Sequence, residues 1–168
     1  IAKNASVSSN KTILDSNPEV KALVQTAFNK VKDEVLKLNN TSFEITTSWL
    51  VEINEYGHGK PHQHRNSAYS AIVYFDDVEE GGEITFSSVG VKPTSFLLMP
   101  TEYNTRTSEL FSIKPSKNKM IVFPSYLHHT VGLYVGNKTR RSLAVNFFPS
   151  GLNGTGDSTM WTKQDKNL

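Results

Sequence analysis

Residues 60–75 read "KPHQHRNSAYSAIVYF": two histidines one residue apart, a short polar stretch, then a run of small, β-branched and aromatic residues. On extended backbone, residues two apart point to the same face, so His62 and His64 are placed to converge on one ion. The run behind them, "YSAIVYF", reads as a strand. The same grain repeats on both sides. "FEITTSWLVEINEY" precedes it, and "EITF", "SFLLM", "LFSI", "KMIVF", "HTVGLYV" and "SLAVNFF" follow, with turn signals such as "EEGGE" at 79–83 and "VGNK" at 135–138 between them. About eight short strands at this spacing predict a mainly β fold, a sandwich or jelly roll.

One segment breaks the period of two. "SNPEVKALVQTAFNKVKDEVLKLNN" offers Ser16 or Asn17 as N-cap, Pro18 near the first turn and Glu19 behind it. Val20, Leu23, Val24, Phe28, Val31, Val35 and Leu38 recur at three- and four-residue steps. That spacing predicts one long amphipathic helix packed on a sheet face. The chain of 168 residues is the size of one domain, with 43–148 as its β core. Residues 1–16, polar and patternless, and the Gly-rich tail 149–168, with Trp161 as its one large anchor, are expected to be peripheral.

Composition narrows the function classes. Eighteen basic and sixteen acidic residues give a net charge of +2 without a like-charged block, so no nucleic-acid partner is implied. No apolar run is long enough to span a membrane, and no secretory pattern is visible at Ile1. A cytoplasmic protein is expected. With no cysteine, thiolate metal sites, disulfides and cysteine nucleophiles are excluded, so any metal must be held by histidine or carboxylate.

All five histidines fall in two windows, His58, His62 and His64 in one and His128 and His129 in the other. A strand through "LHHTV" points one of the adjacent pair inward and the other outward, so only one can be the third ligand. If "VGNK" closes a hairpin with a two- or four-residue loop, Leu133 faces Arg140, Val131 faces Ser142 and His129 faces Ala144. Arg140 then shares a face with His129, roughly 13 Å away along the strand at about 3.3 Å per residue. A three-residue loop hands that role to Arg141. An inward guanidinium needs a partner, and a ligand carboxylate is the natural one; an outward Arg140 on a solvated strand end is the alternative.

"HQH" before "SAIVYF", then "GGEITF", "KMIVFPSYLHHTV" and "RRSLAVNFF", in that order, resembles the iron(II)/2-oxoglutarate oxygenases of the prolyl hydroxylase type, especially those of phage genomes. The likeness covers about residues 49–148. It implies a double-stranded β-helix, a jelly roll, with iron(II) held by His62, His64 and His129. It further implies 2-oxoglutarate gripped at its far carboxylate by Arg140, with Tyr74 assisting and Ser142 and Asn146 lining the pocket. The implied cosubstrate is O2, with ascorbate as an optional accessory. The implied reaction is hydroxylation of an unactivated C–H bond coupled to conversion of 2-oxoglutarate to succinate and carbon dioxide. A prolyl residue in a peptide or protein is the implied target, selected by loops around 55–67 and 100–109, and host cytoplasm the place if the source is a phage.

One residue departs from that pattern. His64 stands where the family most often has Asp or Glu, the carboxylate of the two-histidine facial triad. Three histidines with an open position also describe a catalytic zinc site of a hydrolase or lyase. A jelly-roll binding or structural domain with a vestigial metal site is the third reading. His58, between two glycines, reads as a loop residue, His128 as outward, and Trp49 as part of a core strand.

Overall fold

The computed structural model describes residues 3–78, 80–87, 101–102 and 108–162. In chain order they form β1 (Ala5–Val7), α1 (Pro18–Glu34), β2 (Ser42–Ile53), β3 (Tyr69–Tyr74), β4 (Ile84–Ser87), β5 (Leu110–Ile113), β6 (Met120–Pro124), β7 (His128–Val131), β8 (Arg140–Asn153) and β9 (Met160–Thr162). The run "SFLLM" lies outside the described residues.

Every pairing between the named strands is antiparallel among the described residues. The larger sheet has the order β1-β2-β8-β3-β6, with β9 on the distal end of β8; the smaller has β5-β4-β7. Side chains alternate across β8. Leu143, Val145 and Phe147 join the helix-side core, whereas Arg140, Ser142 and Ala144 line a cavity on the other face. The core between the sheets is built on Tyr74, Ile84, Ile121 and Phe123. This is the expected mainly β jelly roll with a helix on the larger sheet.

Helix α1 lies against the larger sheet through Val24 and Phe28. Phe28 stacks on Phe147 with ring centroids 3.9 Å apart and meets Phe43 edge-on at 5.4 Å. The apolar stripe is narrower than its periodicity suggests, since Leu23 and Val35 are each 71% exposed. A helix resting on one sheet buries only the line of contact, and here Lys32 completes it. Its stem is buried while its ammonium donates to the Leu38 carbonyl (3.2 Å) and the Asp33 carboxylate (2.5 Å). The helix also stops before Leu38. Lys37 takes a left-handed φ of 58°, and Leu36 and Leu38 donate back to Val31 and Lys32.

Three expectations are corrected. Of the stretch 1–16, the described residues 3–16 are not peripheral: β1 extends the larger sheet, and Leu14 is buried in the helix-side core. In the tail, β8 runs to Asn153 and β9 pairs with it, but Trp161 is 74% exposed and anchors nothing. The "VGNK" segment does not close a β7–β8 hairpin, because those strands belong to different sheets. Residues 132–135 instead bond to Glu80, Glu83 and Gly57, and the Tyr134 hydroxyl turns inward to donate to the Lys138 carbonyl at 2.6 Å. A Cβ on Gly136 would sit 2.3 Å from that hydroxyl, so any side chain there would have to displace the Tyr134 ring. No described helix is long and apolar enough to cross a membrane.

Candidate metal centre and adjoining cavity

The segment before β3 runs alongside β7 as a short extra edge. His62 and His129 form an antiparallel bridge, each backbone N–H donating to the other's carbonyl at 2.9 Å. Directly opposed residues share a face, so the two imidazoles meet with ring centroids 4.3 Å apart. His64, two residues on, donates its N–H to the Ser125 carbonyl (3.0 Å) and brings its ring to 5.1 Å from His62 and 5.0 Å from His129. One ligand nitrogen from each lies within 4.8 Å of the others, and this is the only such group among the described residues.

Two of the rings are held by their own backbone. The His62 Nδ1 meets the Lys60 carbonyl at 2.8 Å, and the His129 Nδ1 meets the Leu127 carbonyl at 3.0 Å. A carbonyl can only accept, so each Nδ1 carries the proton and each Nε2 presents a lone pair. Burial pulls the pKa of His64 and that of His129 down to about 4, with the neighbouring imidazoles adding to the effect. Both are neutral near pH 7, the protonation state a metal ligand requires.

The three histidines open onto a cavity of about 450 Å³ between the sheets, walled by Trp49, Val51 and Ile53 of β2 and by Arg140, Ser142 and Ala144 of β8. Arg140 therefore faces His129 across the space between sheets and not along a hairpin; Arg141 points outward, paired with the Asp76 carboxylate by two contacts of 3.0 Å. Asp77 accepts from the Lys117 backbone N–H at 2.9 Å, so both carboxylates after β3 are engaged away from the histidines. Arg140 is 2% exposed. Its guanidinium carbon sits 5.1 Å from the centroid of the Tyr74 ring, yet its Nε and the Tyr74 hydroxyl both lack a hydrogen-bond partner. Burial lowers the Arg140 pKa against the support of Tyr74, Tyr134 and Glu83, and burial pushes the Tyr74 phenol up to about 12. A buried guanidinium whose Nε has no partner, with a neutral phenol beside it, fits a carboxylate of a bound ligand. The three imidazoles fit a divalent first-row metal ion.

Ser142 lines the cavity and is buried. Asn146, expected beside it, does not: its Oδ1 accepts from Ser70 (2.8 Å) and its Nδ2 donates to Thr47 (3.0 Å). That amide belongs to a buried network in which the Ser70 and Ser125 hydroxyls lie 2.8 Å apart and Ser125 donates to Ser67 at 2.9 Å. Sequence reasoning missed two residues. Trp49, read as core, forms cavity wall with its ring 5.6 Å from that of His64. Gly82, at φ +67°, lies where a Cβ would come within 3.2 Å of the Arg140 side chain, so the "GG" turn also makes room for the guanidinium. His128 is exposed, as the alternation required.

A family model described as "Putative 2OG-Fe(II) oxygenase" matches residues 47–146. No curated protein matches the chain. Among solved structures, HygX from Streptomyces hygroscopicus with nickel, 2-oxoglutarate and hygromycin B bound is 14% identical, with 88% of this chain and 71% of that one covered and a TM-score of 0.61. A Pseudomonas putida prolyl-4-hydroxylase is 14% identical over 88% of this chain and 72% of its own, TM-score 0.54. A Trichoplax adhaerens prolyl hydroxylase in complex with a hypoxia inducible factor peptide fragment is 12% identical over 87% of this chain and 63% of its own, TM-score 0.58. At these identities the likeness establishes the fold, and this chain spans about two thirds of each protein's length.

Proposed function

This chain belongs to the 2OG-Fe(II) oxygenase family, and from that premise we propose that it is an iron(II)- and 2-oxoglutarate-dependent hydroxylase acting on a prolyl residue of a peptide or protein. His62, His64 and His129 hold the iron, and Arg140, assisted by Tyr74, holds the far carboxylate of 2-oxoglutarate. When bound, the metal and cosubstrate would supply the oxygen activation.

The chain's own residues do the positioning. The Lys60 and Leu127 carbonyls fix the tautomers of His62 and His129, so that both offer Nε2 without a conformational search. Arg140 and Tyr74 orient the cosubstrate from the far end of the cavity, and Ser142 adds a hydroxyl along the same wall. Trp49, Val51 and Ile53 give the cavity beside the three histidines an apolar wall that would disfavour water there. The observation that carries this reading is the buried, unpartnered Arg140 Nε across one cavity from a three-histidine cluster. Zinc hydrolysis gives no use for that guanidinium. The prolyl target is supported by the two prolyl hydroxylases of similar fold, one of which has a peptide bound.

The test is an anaerobic titration with iron(II) and then 2-oxoglutarate, watching for the visible charge-transfer band of the chelate. The band is expected in the parent and lost or greatly weakened in Arg140→Ala. Bound metal without any band would overturn the cosubstrate assignment and favour a zinc or structural site.

A further inference from the structure

Among the described residues β1 is the outer edge of the larger sheet, pairing with β2 alone. The register Ala5↔Ile53, Ser6↔Glu52, Val7↔Val51 fixes which of its backbone groups are used. On either side of the strand, Asn54 donates to the Asn4 carbonyl and Ser8 donates to the Leu50 carbonyl. Hydrogen-bonded and non-bonded pairs alternate in an antiparallel ladder, so Ser6 turns its backbone toward β2 while Ala5 and Val7 turn their N–H and C=O groups outward. Among the described residues, no bond fills those four groups. An edge of this kind is a template for another strand.

The side chains of the same two residues line the cavity that holds the histidines, and Val7 is 44% exposed. One pleat beyond Val7↔Val51, the face reaches Trp49, whose ring is 5.6 Å from His64. The opposite rim, Lys60 and Pro61, is a poorer template because Pro61 has no N–H to give.

We infer that the substrate polypeptide binds as an extended strand on the outer edge of β1, with its target residue just past Val7, over Trp49 and the three histidines. This rests on the hydroxylase reading above. Residues flanking the target bond to Ala5 and Val7, and those directly opposite them face the cavity. A prolyl target cannot donate a backbone N–H, and past the end of β1 none is required.

Short synthetic peptides with one central proline between randomised flanks are offered to the protein loaded anaerobically with iron(II) and 2-oxoglutarate. The tightest retained peptide is resynthesised for residue-resolved hydrogen exchange. Protection of the Ala5 and Val7 amides by about tenfold or more is expected on peptide binding. Val7→Pro removes one outward N–H and leaves the β1–β2 bonds in place; it is expected to weaken the peptide by about tenfold. Metal affinity serves as the check that the variant is folded. A peptide that is bound and hydroxylated with no protection of β1 overturns the inference and leaves the hydroxylase reading standing. Concentration-dependent protection of β1 without peptide overturns it in favour of a second copy of the chain. If no peptide is retained while the 2-oxoglutarate band is intact, the peptide substrate fails and the inference fails with it.

Discussion

His62 and His129 are joined through their backbones before any metal is considered, each donating its N–H to the other's carbonyl at 2.9 Å. Two of the proposed ligands are thereby fixed to one another by main chain, and the third, His64, is tied to the Ser125 carbonyl. Substitution of one side chain leaves this frame intact. His129→Ala is therefore expected to stay folded yet to bind iron(II) at least about 100-fold more weakly. His64→Asp adds a negative charge beside the cation and is expected to bind it about tenfold more tightly. Metal titration followed by calorimetry reads both, and unchanged affinity in His129→Ala would remove that residue from the site.

Arg140 gives a pair of effects of opposite sign. Its guanidinium is buried with Nε unpartnered, which costs the ligand-free fold. Arg140→Met is expected to raise the unfolding free energy of the ligand-free protein by about 1–3 kcal/mol. The same change should weaken 2-oxoglutarate by roughly 100-fold, on the order of 3 kcal/mol, since it removes one partner of a buried charge pair. Urea unfolding and cosubstrate titration measure the two. A destabilised variant with unchanged 2-oxoglutarate affinity would mean that Arg140 serves the fold.

Tyr74 sets a pH dependence. Its phenol is raised from an ordinary value of 10.0 to about 12, chiefly by burial, with Arg140 opposing. Because the folded pKa lies above the unfolded one, its contribution to stability is complete below pH 10 and is lost as pH rises through about 12. The unfolded chain releases the proton first, so base favours unfolding across that window. Tyr74→Phe should flatten this part of the alkaline stability profile relative to the parent. Identical profiles would place the Tyr74 hydroxyl in solvent.

Which parts of this were legible in the sequence follows from the range of the interactions involved. The strands and the histidine clustering depend on local periodicity, and periodicity is written in the chain. The larger sheet's cavity face was partly legible too, because alternation along one strand separates Arg140 from Arg141 whichever partner the strand takes. The partner itself was not. Residues 132–135 have their bonds to Glu80, Glu83 and Gly57, contacts distant in sequence, and a "VGNK" turn carries no trace of them. Asn146 and Trp49 were misassigned for a similar reason. One has its amide consumed by Ser70 and Thr47, and the other faces the cavity beside His64 where a core was assumed. The burial of Leu14 in the polar N-terminal stretch depends on the Ser48 hydroxyl accepting its backbone N–H at 3.0 Å, a contact 34 residues away.

The last expectation concerns Ser125, which touches neither metal nor cavity. Its hydroxyl bonds to Ser70 and Ser67, its N–H donates to the Ala68 carbonyl, and its own carbonyl holds the backbone of His64. Residue 125 thus links the strand that carries His129 to the segment that carries His64. Ser125→Ala keeps the two backbone bonds and deletes the hydroxyl, leaving Ser67 with its Tyr69 and Phe147 carbonyls and Ser70 with Asn146. Since the remaining partners are mostly satisfied, the expected stability loss is modest, about 1–2 kcal/mol. The metal should respond more than the fold does, because a loosened His64 weakens a three-ligand site with no carboxylate to compensate, and a fall in iron(II) affinity of about 10-fold is expected. Ser125→Thr, which restores a hydroxyl in a crowded site, separates the two causes. If it recovers stability without recovering metal affinity, the geometry of the Ser125–His64 link governs the metal; if both recover together, the hydroxyl network does. Unchanged iron affinity in Ser125→Ala would show that the backbone bond alone is sufficient to hold His64.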